Sequence, residues 1–160
     1  MDEITKHATV EFPLGTHDAR VDDKGRLKLP AILQKYLSGR GEPQVFITTL
    51  DTSTVQIYPI SIWMQNEKLF DEEQELAEDA ELLHLVASEY GLQSEMDSQG
   101  RVLIKQNLRE LLHLENQAVS LRCFKGVINA SPMATHQQRL ERAVQNLDAM
   151  RSRLKQKGLK

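Results

Sequence analysis

The chain is poor in the features that announce most special classes of protein. It has one cysteine, Cys123, in 160 residues, so no disulfide can form within it and a reducing, cytoplasmic setting is the expectation. Aromatic residues make up 5% of the chain, with one tryptophan. No apolar run approaches the roughly 20 residues needed to span a membrane. The N-terminal segment Met1–His7 carries acids and lacks the apolar stretch of a signal peptide. The five histidines (His7, His17, His84, His113, His136) have no metal-ligand spacing with Cys123 or with one another. Neither glycine-rich phosphate-binding pattern occurs, and no carboxylate stands in an apolar context that suits a general acid. Cys123, between Arg122 and Phe124 in a β-rich run, reads as a small buried hydrophobe. An enzyme is therefore not expected, nor a cofactor, a metal or a small-molecule ligand. What remains is an ordinary globular composition, 40% hydrophobic and 27% charged, in a chain long enough to bury a core of its own.

The formal charge of −3 conceals strong local biases, and fields act over a Debye length of about 8–10 Å rather than over the whole molecule. Seven acids and no Lys or Arg lie between Asp71 and Glu81. Seven bases against two acids lie between Arg139 and Lys160. Between Ala19 and Lys35, five cations (Arg20, Lys24, Arg26, Lys28, Lys35) face two acids, Asp22 and Asp23.

The chain repeats itself. Asp22-Asp23-Lys24-Gly25-Arg26-Leu27-Lys28-Leu29 and Asp97-Ser98-Gln99-Gly100-Arg101-Val102-Leu103-Ile104 superpose at an offset of 75 residues, with Val21 on Met96, Leu33 on Leu108 and Leu37 on Leu112. Each copy leads into a short helix, Ala31–Leu37 or Gln106–Leu112. Each then meets a β-rich segment: Val45–Leu50 with Val55–Tyr58, and Ala118–Phe124 with Val127–Asn129. A serine and a proline (Pro59 and Ser61, Ser131 and Pro132) precede a further helix, with serine expected as the N-cap. The short turns suit antiparallel pairing. Between the copies, Leu76, Ala80, Leu83 and Ala87 mark an amphipathic helix over Glu73–Glu89 with its acids outward. At the end of the chain, Leu140, Ala143, Leu147, Met150 and Leu154 form an a/d stripe, expected to pack on its own subunit rather than in a free coiled coil.

In each copy the Asp-x-x-Gly-Arg segment is a turn. The aspartates, Asp22 and Asp97, accept bonds from turn amides, and the glycines, Gly25 and Gly100, provide positive φ. Each arginine leaves the tip able to pair with its aspartate or to project outward.

Arg20–Leu33 closely resembles the swapped-hairpin, AbrB-like DNA-binding module. Two such modules in tandem, with the Asp22–Arg26 and Asp97–Arg101 pairs, resemble the MraZ family of bacterial regulators encoded at the head of the division and cell-wall gene cluster. The resemblance runs from about Gly15 to His136, and Tyr58-Pro59 followed by Trp63 is similar to the end of the family's first half. It implies an α+β fold in which two AbrB-like β modules form one pseudo-symmetric β-barrel flanked by helices. The chain then divides into a first module over 15–66, an acidic linker helix over 67–90, a second module over 91–136 and a basic C-terminal helix or tail over 137–160, the linker and the tail being read from the charge pattern and unusual for the family. The resemblance also implies a nucleoid-associated homo-oligomeric ring whose motif arginines and nearby lysines contact short, G-rich direct repeats of double-stranded promoter DNA. In this chain Lys105 stands where Pro30 stands in the first copy, and the second half has no tryptophan after its β segment.

Guanine readout needs a cation that reaches O6 and N7, whereas phosphate contacts need only mobile or forked cations. Alternation along the hairpin puts Lys24, Arg26 and Lys28 on one side. Arg26 is the expected base contact, and Arg20, Lys24 and Lys28 the phosphate contacts, with Lys35 weaker. The second copy balances its cations (Arg101, Lys105, Arg109) with Glu95, Asp97 and Glu110, so it is expected to be mainly architectural. Pairing with Asp97 competes with any DNA contact by Arg101. His17 lies near enough to the first hairpin to touch phosphate. The alternative is an AbrB-like scaffold of antitoxin type, which binds a protein partner through the acidic helix and the basic tail.

Overall fold

The 75-residue repeat reappears in the order of elements. A computed structural model describes residues 12–160; Met1–His7, with the signal-peptide reading and His7, lies outside them. The first half runs β1 (Thr16–Arg20), β2 (Arg26–Lys28), α1 (Ala31–Gly39), β3 (Gln44–Thr48), β4 (Val55–Pro59) and α2 (Ile60–Glu72). After α3 (Ala77–Tyr90) the second half runs β5 (Leu92–Glu95), β6 (Arg101–Leu103), α4 (Gln106–Leu112), β7 (Ala118–Phe124), β8 (Val127–Pro132) and α5 (Met133–Gln145). A last helix, α6 (Leu147–Gln156), follows. The fold class is α+β, with every strand pair antiparallel.

Six strands form one sheet in the order β1-β7-β8-β4-β3-β5, and β2 pairs with β6 in a separate two-stranded ribbon. Among the described residues the strands do not close into the barrel that the resemblance implies. β1 and β5 remain edges, because at Asp22 and Asp97 the chain turns away into three-residue strands that pair with each other instead of extending the sheet. The ribbon nevertheless joins the two edges. Four ladders (β1–β7, β4–β8, β3–β5, β2–β6) pair one half with the other, and only β3–β4 and β7–β8 lie within a half.

Alternation along the strands builds the core. Val45, Ile47, Val55, Ile57, Val119, Leu121, Ile128 and Ala130 point inward and are buried. The repeat supplies matched partners, Leu27 with Val102, Leu29 with Ile104 and Leu33 with Leu108, all buried. A second cluster gathers on Trp63, whose ring lies 4.6 Å from Phe46 and 4.9 Å from Tyr58. The Trp63 indole N–H donates to Glu67 at 3.0 Å, and Glu67 also meets His84 at 3.0 Å, which fastens α2 to α3. His84 is thus held between the two helices. His113 is exposed and caps α4 in the left-handed conformation (φ 53°).

Three further expectations need correction. The cap positions of α2 and α5 are Pro59 and Pro132, not serines, and no side-chain cap bond is present. Strand passes directly into helix there, and proline's fixed φ with no N–H suits that junction. The acidic segment is not one helix: α2 ends at Glu72 and α3 begins at Ala77, and of the expected stripe only Ala80 and Ala87 are buried. The C-terminal stripe is split at Asn146, and neither α5 nor α6 has a buried residue. Along α5 the stripe still meets its own subunit, since α5 lies against β7 and β8 and Leu140 and Ala143 line a groove with Ser120 and Ser131; along α6 it does not. Cys123 is half-buried against the core, and burial pushes its thiol above the ordinary range.

Candidate nucleic-acid interface

The two tips are built alike. Asp22 Oδ1 accepts the amides of Lys24 at 2.9 Å and Arg26 at 2.8 Å; Asp97 Oδ1 accepts those of Gln99 and Arg101, both at 2.9 Å. Gly25 (φ 82°) and Gly100 (φ 77°) occupy the left-handed positions, which side chains with a Cβ adopt only at a cost. The amide of Arg26 does most to hold the Asp22 carboxyl below its usual range. The amide of Arg101 does the same for Asp97, aided by that residue's guanidinium.

Each tip is locked by the other half. Ile104 N–H donates to the Gly25 carbonyl at 3.0 Å, and Leu29 N–H to that of Gly100 at 2.9 Å. The Arg109 side chain lies where a Cβ on Gly25 would fall, and the Gln34 amide lies where one on Gly100 would fall. Arg109 is held by the carbonyl of Ile104 at 3.0 Å and Gln34 by that of Leu29 at 2.6 Å. These positions are 75 residues apart, so the repeat extends to its locks. The sequence reading missed this role, although Gln34 and Arg109 both stand nine residues after a motif glycine.

The ribbon carries the site. Leu27 and Val102 face each other inward and are buried, which turns their neighbours outward. Arg26 stands opposite Leu103, and Lys28 opposite Arg101. One outward face thus bears Arg26, Lys28 and Arg101, together with Leu103, which is 41% exposed. The ribbon places Arg101 of the second copy beside Lys28 of the first, a neighbour that a single-hairpin view does not show. Exposed Lys24 sits at the tip.

The other candidates lie elsewhere. Lys35 is exposed on α1. Arg20, on β1, donates to the carbonyl of Asn116. His17 is half-buried, with Nε2 3.1 Å from the carbonyl of Leu14.

Two cations facing across a ladder repel one another, and here the tip acids offset the repulsion. Arg101 Nε donates to Asp97 Oδ2 at 2.9 Å. Arg26 Nε lies 3.4 Å from Asp22 Oδ2 in an ion pair whose geometry falls short of a hydrogen bond. Both aspartates engage the arginines at Nε. Among the described residues, the Nη atoms of both guanidiniums have no hydrogen-bond partner, and Lys24, Lys28 and Lys35 have no ion-pair partner.

No family model matches the chain. Among curated proteins it is similar to the transcriptional regulator MraZ of Acidobacterium capsulatum, 36% identical over 105 residues that cover 66% of this chain and 72% of that protein. It is 34% identical to the transcriptional regulator MraZ of Koribacter versatilis over 64% of this chain and 71% of that protein. The MraZ of Roseiflexus sp. is 31% identical over 66% and 71% of the two chains. The chain belongs to the MraZ family. Against the MraZ background, the ribbon is where the duplicated Asp-x-x-Gly-Arg motif and the outward cations coincide. Among the described residues, no group of three metal-ligating side chains is assembled, and no helix is long and apolar enough to cross a membrane.

Proposed function

We propose that this chain is a sequence-specific, DNA-binding transcriptional regulator of the division and cell-wall gene cluster. It binds G-rich promoter repeats through the outward face of the β2–β6 ribbon, as a ring-like, nucleoid-associated oligomer built on interleaved AbrB-like hairpins. One observation carries this reading: Arg26, Lys28 and Arg101 stand together on a two-stranded antiparallel ribbon, an element the major groove admits. A guanidinium held at Nε keeps its Nη pair for the O6 and N7 of guanine, and a fixed side chain loses less entropy on binding. Arg26 and Arg101 are the base readers; Lys28, Lys24 and the more peripheral Arg20 and Lys35 neutralise phosphate. A few phosphate contacts per subunit give weak binding at physiological salt, so useful affinity comes from several linked subunits on several repeats.

The test is titration of a labelled duplex carrying the chain's own upstream direct repeats against wild type, Arg26→Ala and Lys28→Ala. Arg26→Ala should cost about 1–3 kcal/mol and relax discrimination at one guanine, whereas Lys28→Ala should lower the salt slope by about one per bound subunit. Unchanged binding by both variants would move the function from the ribbon to the scaffold reading, in which the acidic helices and basic tail hold a protein partner.

A further inference from the structure

The C-terminal helices, interrupted at Asn146, carry an apolar stripe that their own subunit leaves largely exposed: Leu140 and Ala143 border a groove on the sheet, and α6 has no buried residue. Leu140, Leu147 and Leu154 recur every seven residues and are 54%, 46% and 55% exposed. Such a stripe ordinarily pairs with its own copy in a coiled coil, where flanking residues decide the partner. Here the flanks are Arg139, Val144, Asn146, Arg151 and Arg153, three cations and no acid. Two copies of this stripe side by side would set like charges against each other, which disfavours a homotypic coil. Lys155 in the last turn of α6 and Lys157 just beyond it add further positive charge next to Leu154. Charge complementarity thus calls for an acidic helix with its own exposed apolar residues.

The same chain presents one. The inner face of α3 is Ala80, His84 and Ala87, against α2 and the sheet. On the opposite face, by helical spacing, stand Glu78, Leu82, Leu85 and Glu89, with Glu81 beside them. Leu82 and Leu85 are 48% and 57% exposed. Among the described residues, none of these acids has an ion-pair partner, and of the flanking bases on α5–α6 only Arg151 has one, the exposed Asp148.

We infer that the basic stripe of α5–α6 docks on the acidic outer face of α3 in a second copy of this chain. The inference rests on the proposal that the chain self-associates, and it names the contact. The two surfaces differ, so the interface is head-to-tail: each subunit offers a donor helix to one neighbour and an acceptor face to the other. Such contacts make a ring when the rotation closes. Because charge contributes to the docking, added salt loosens it.

The experiment measures assembly mass by sedimentation at micromolar concentration, without DNA, for three full-length proteins. These are wild type, a tail variant (Arg151→Glu with Arg153→Glu) and a helix variant (Glu78→Lys with Glu81→Lys), each checked by circular dichroism for native fold. Wild type should be multimeric, and each variant alone should associate at least tenfold more weakly. An equimolar mixture of the two variants should recover the large mass, since the acidic tail then meets the basic helix and the basic tail the acidic one. The inference is overturned by a monomeric wild type, by a tail variant of wild-type mass, or by a mixture that stays small. It is equally overturned if the helix variant assembles normally while the tail variant pairs tightly with wild type, the signature of a homotypic coil. DNA binding by Lys28→Ala is scored separately, so the ribbon reading and this contact can fail independently.

Discussion

Gly25 and Gly100 show how much one residue decides. Each has positive φ, and each is roofed by a side chain from the other half, Arg109 or Gln34. Backbone and packing therefore both demand glycine. Gly25→Val should destabilise the protein by roughly 1–3 kcal/mol from the backbone conformation alone, with more from displacement of Arg109. Denaturant unfolding measures this, and a midpoint equal to wild type would show that the tip tolerates a side chain. The need for positive φ was legible in the sequence, because Asp-x-x-Gly between two apolar strands reads as a turn with glycine at the left-handed position. The roofing was not, because Arg109 reaches Gly25 only once β2 has paired with β6.

At the scale of elements, the strands and the two short helices follow the apolar pattern closely; α4 spans the expected Gln106–Leu112. Besides the barrel closure and the helix caps, the readings that failed concern the charged segments. An acidic run fits a helix face or a helix break equally well, and an exposed stripe looks in sequence like a buried one. The hairpin tips give an element-scale prediction. Both tip aspartates have carboxyls held below the ordinary range, chiefly by backbone N–H donors, so the unfolded chain takes up these protons before the native chain does. Their contribution is complete above the unfolded value near pH 4 and is lost as pH falls through the depressed native values. Asp22→Asn with Asp97→Asn keeps an acceptor oxygen at each tip and removes the titration. Acid unfolding followed by circular dichroism should be less steep in this double variant. An unaltered acid limb would place the effect in other carboxylates.

For the whole molecule, the decisive feature is that pairing runs mainly between halves. With the chain divided before Gly91, β1, β2, β3 and β4 all have partners beyond the cut, and each half alone exposes unpaired edges and half a core. Fragments 12–90 and 91–160, expressed separately, should lack a cooperative unfolding transition and regain one on mixing. Cooperative folding of either fragment by itself would show that the ladders across the cut are dispensable. The sequence by itself determined the duplicated module, the turns, the inward residues and the concentration of charge near the first tip, because all of these depend on local spacing and backbone preference. Only the tertiary structure decided that Lys28 and Arg101 share one face, that Arg109 and Gln34 cross to roof the opposite tips, and that the C-terminal leucines stay about half exposed. Those facts depend on which strand meets which across about 75 residues of chain, and residue spacing within a segment carries no record of contacts made at that distance.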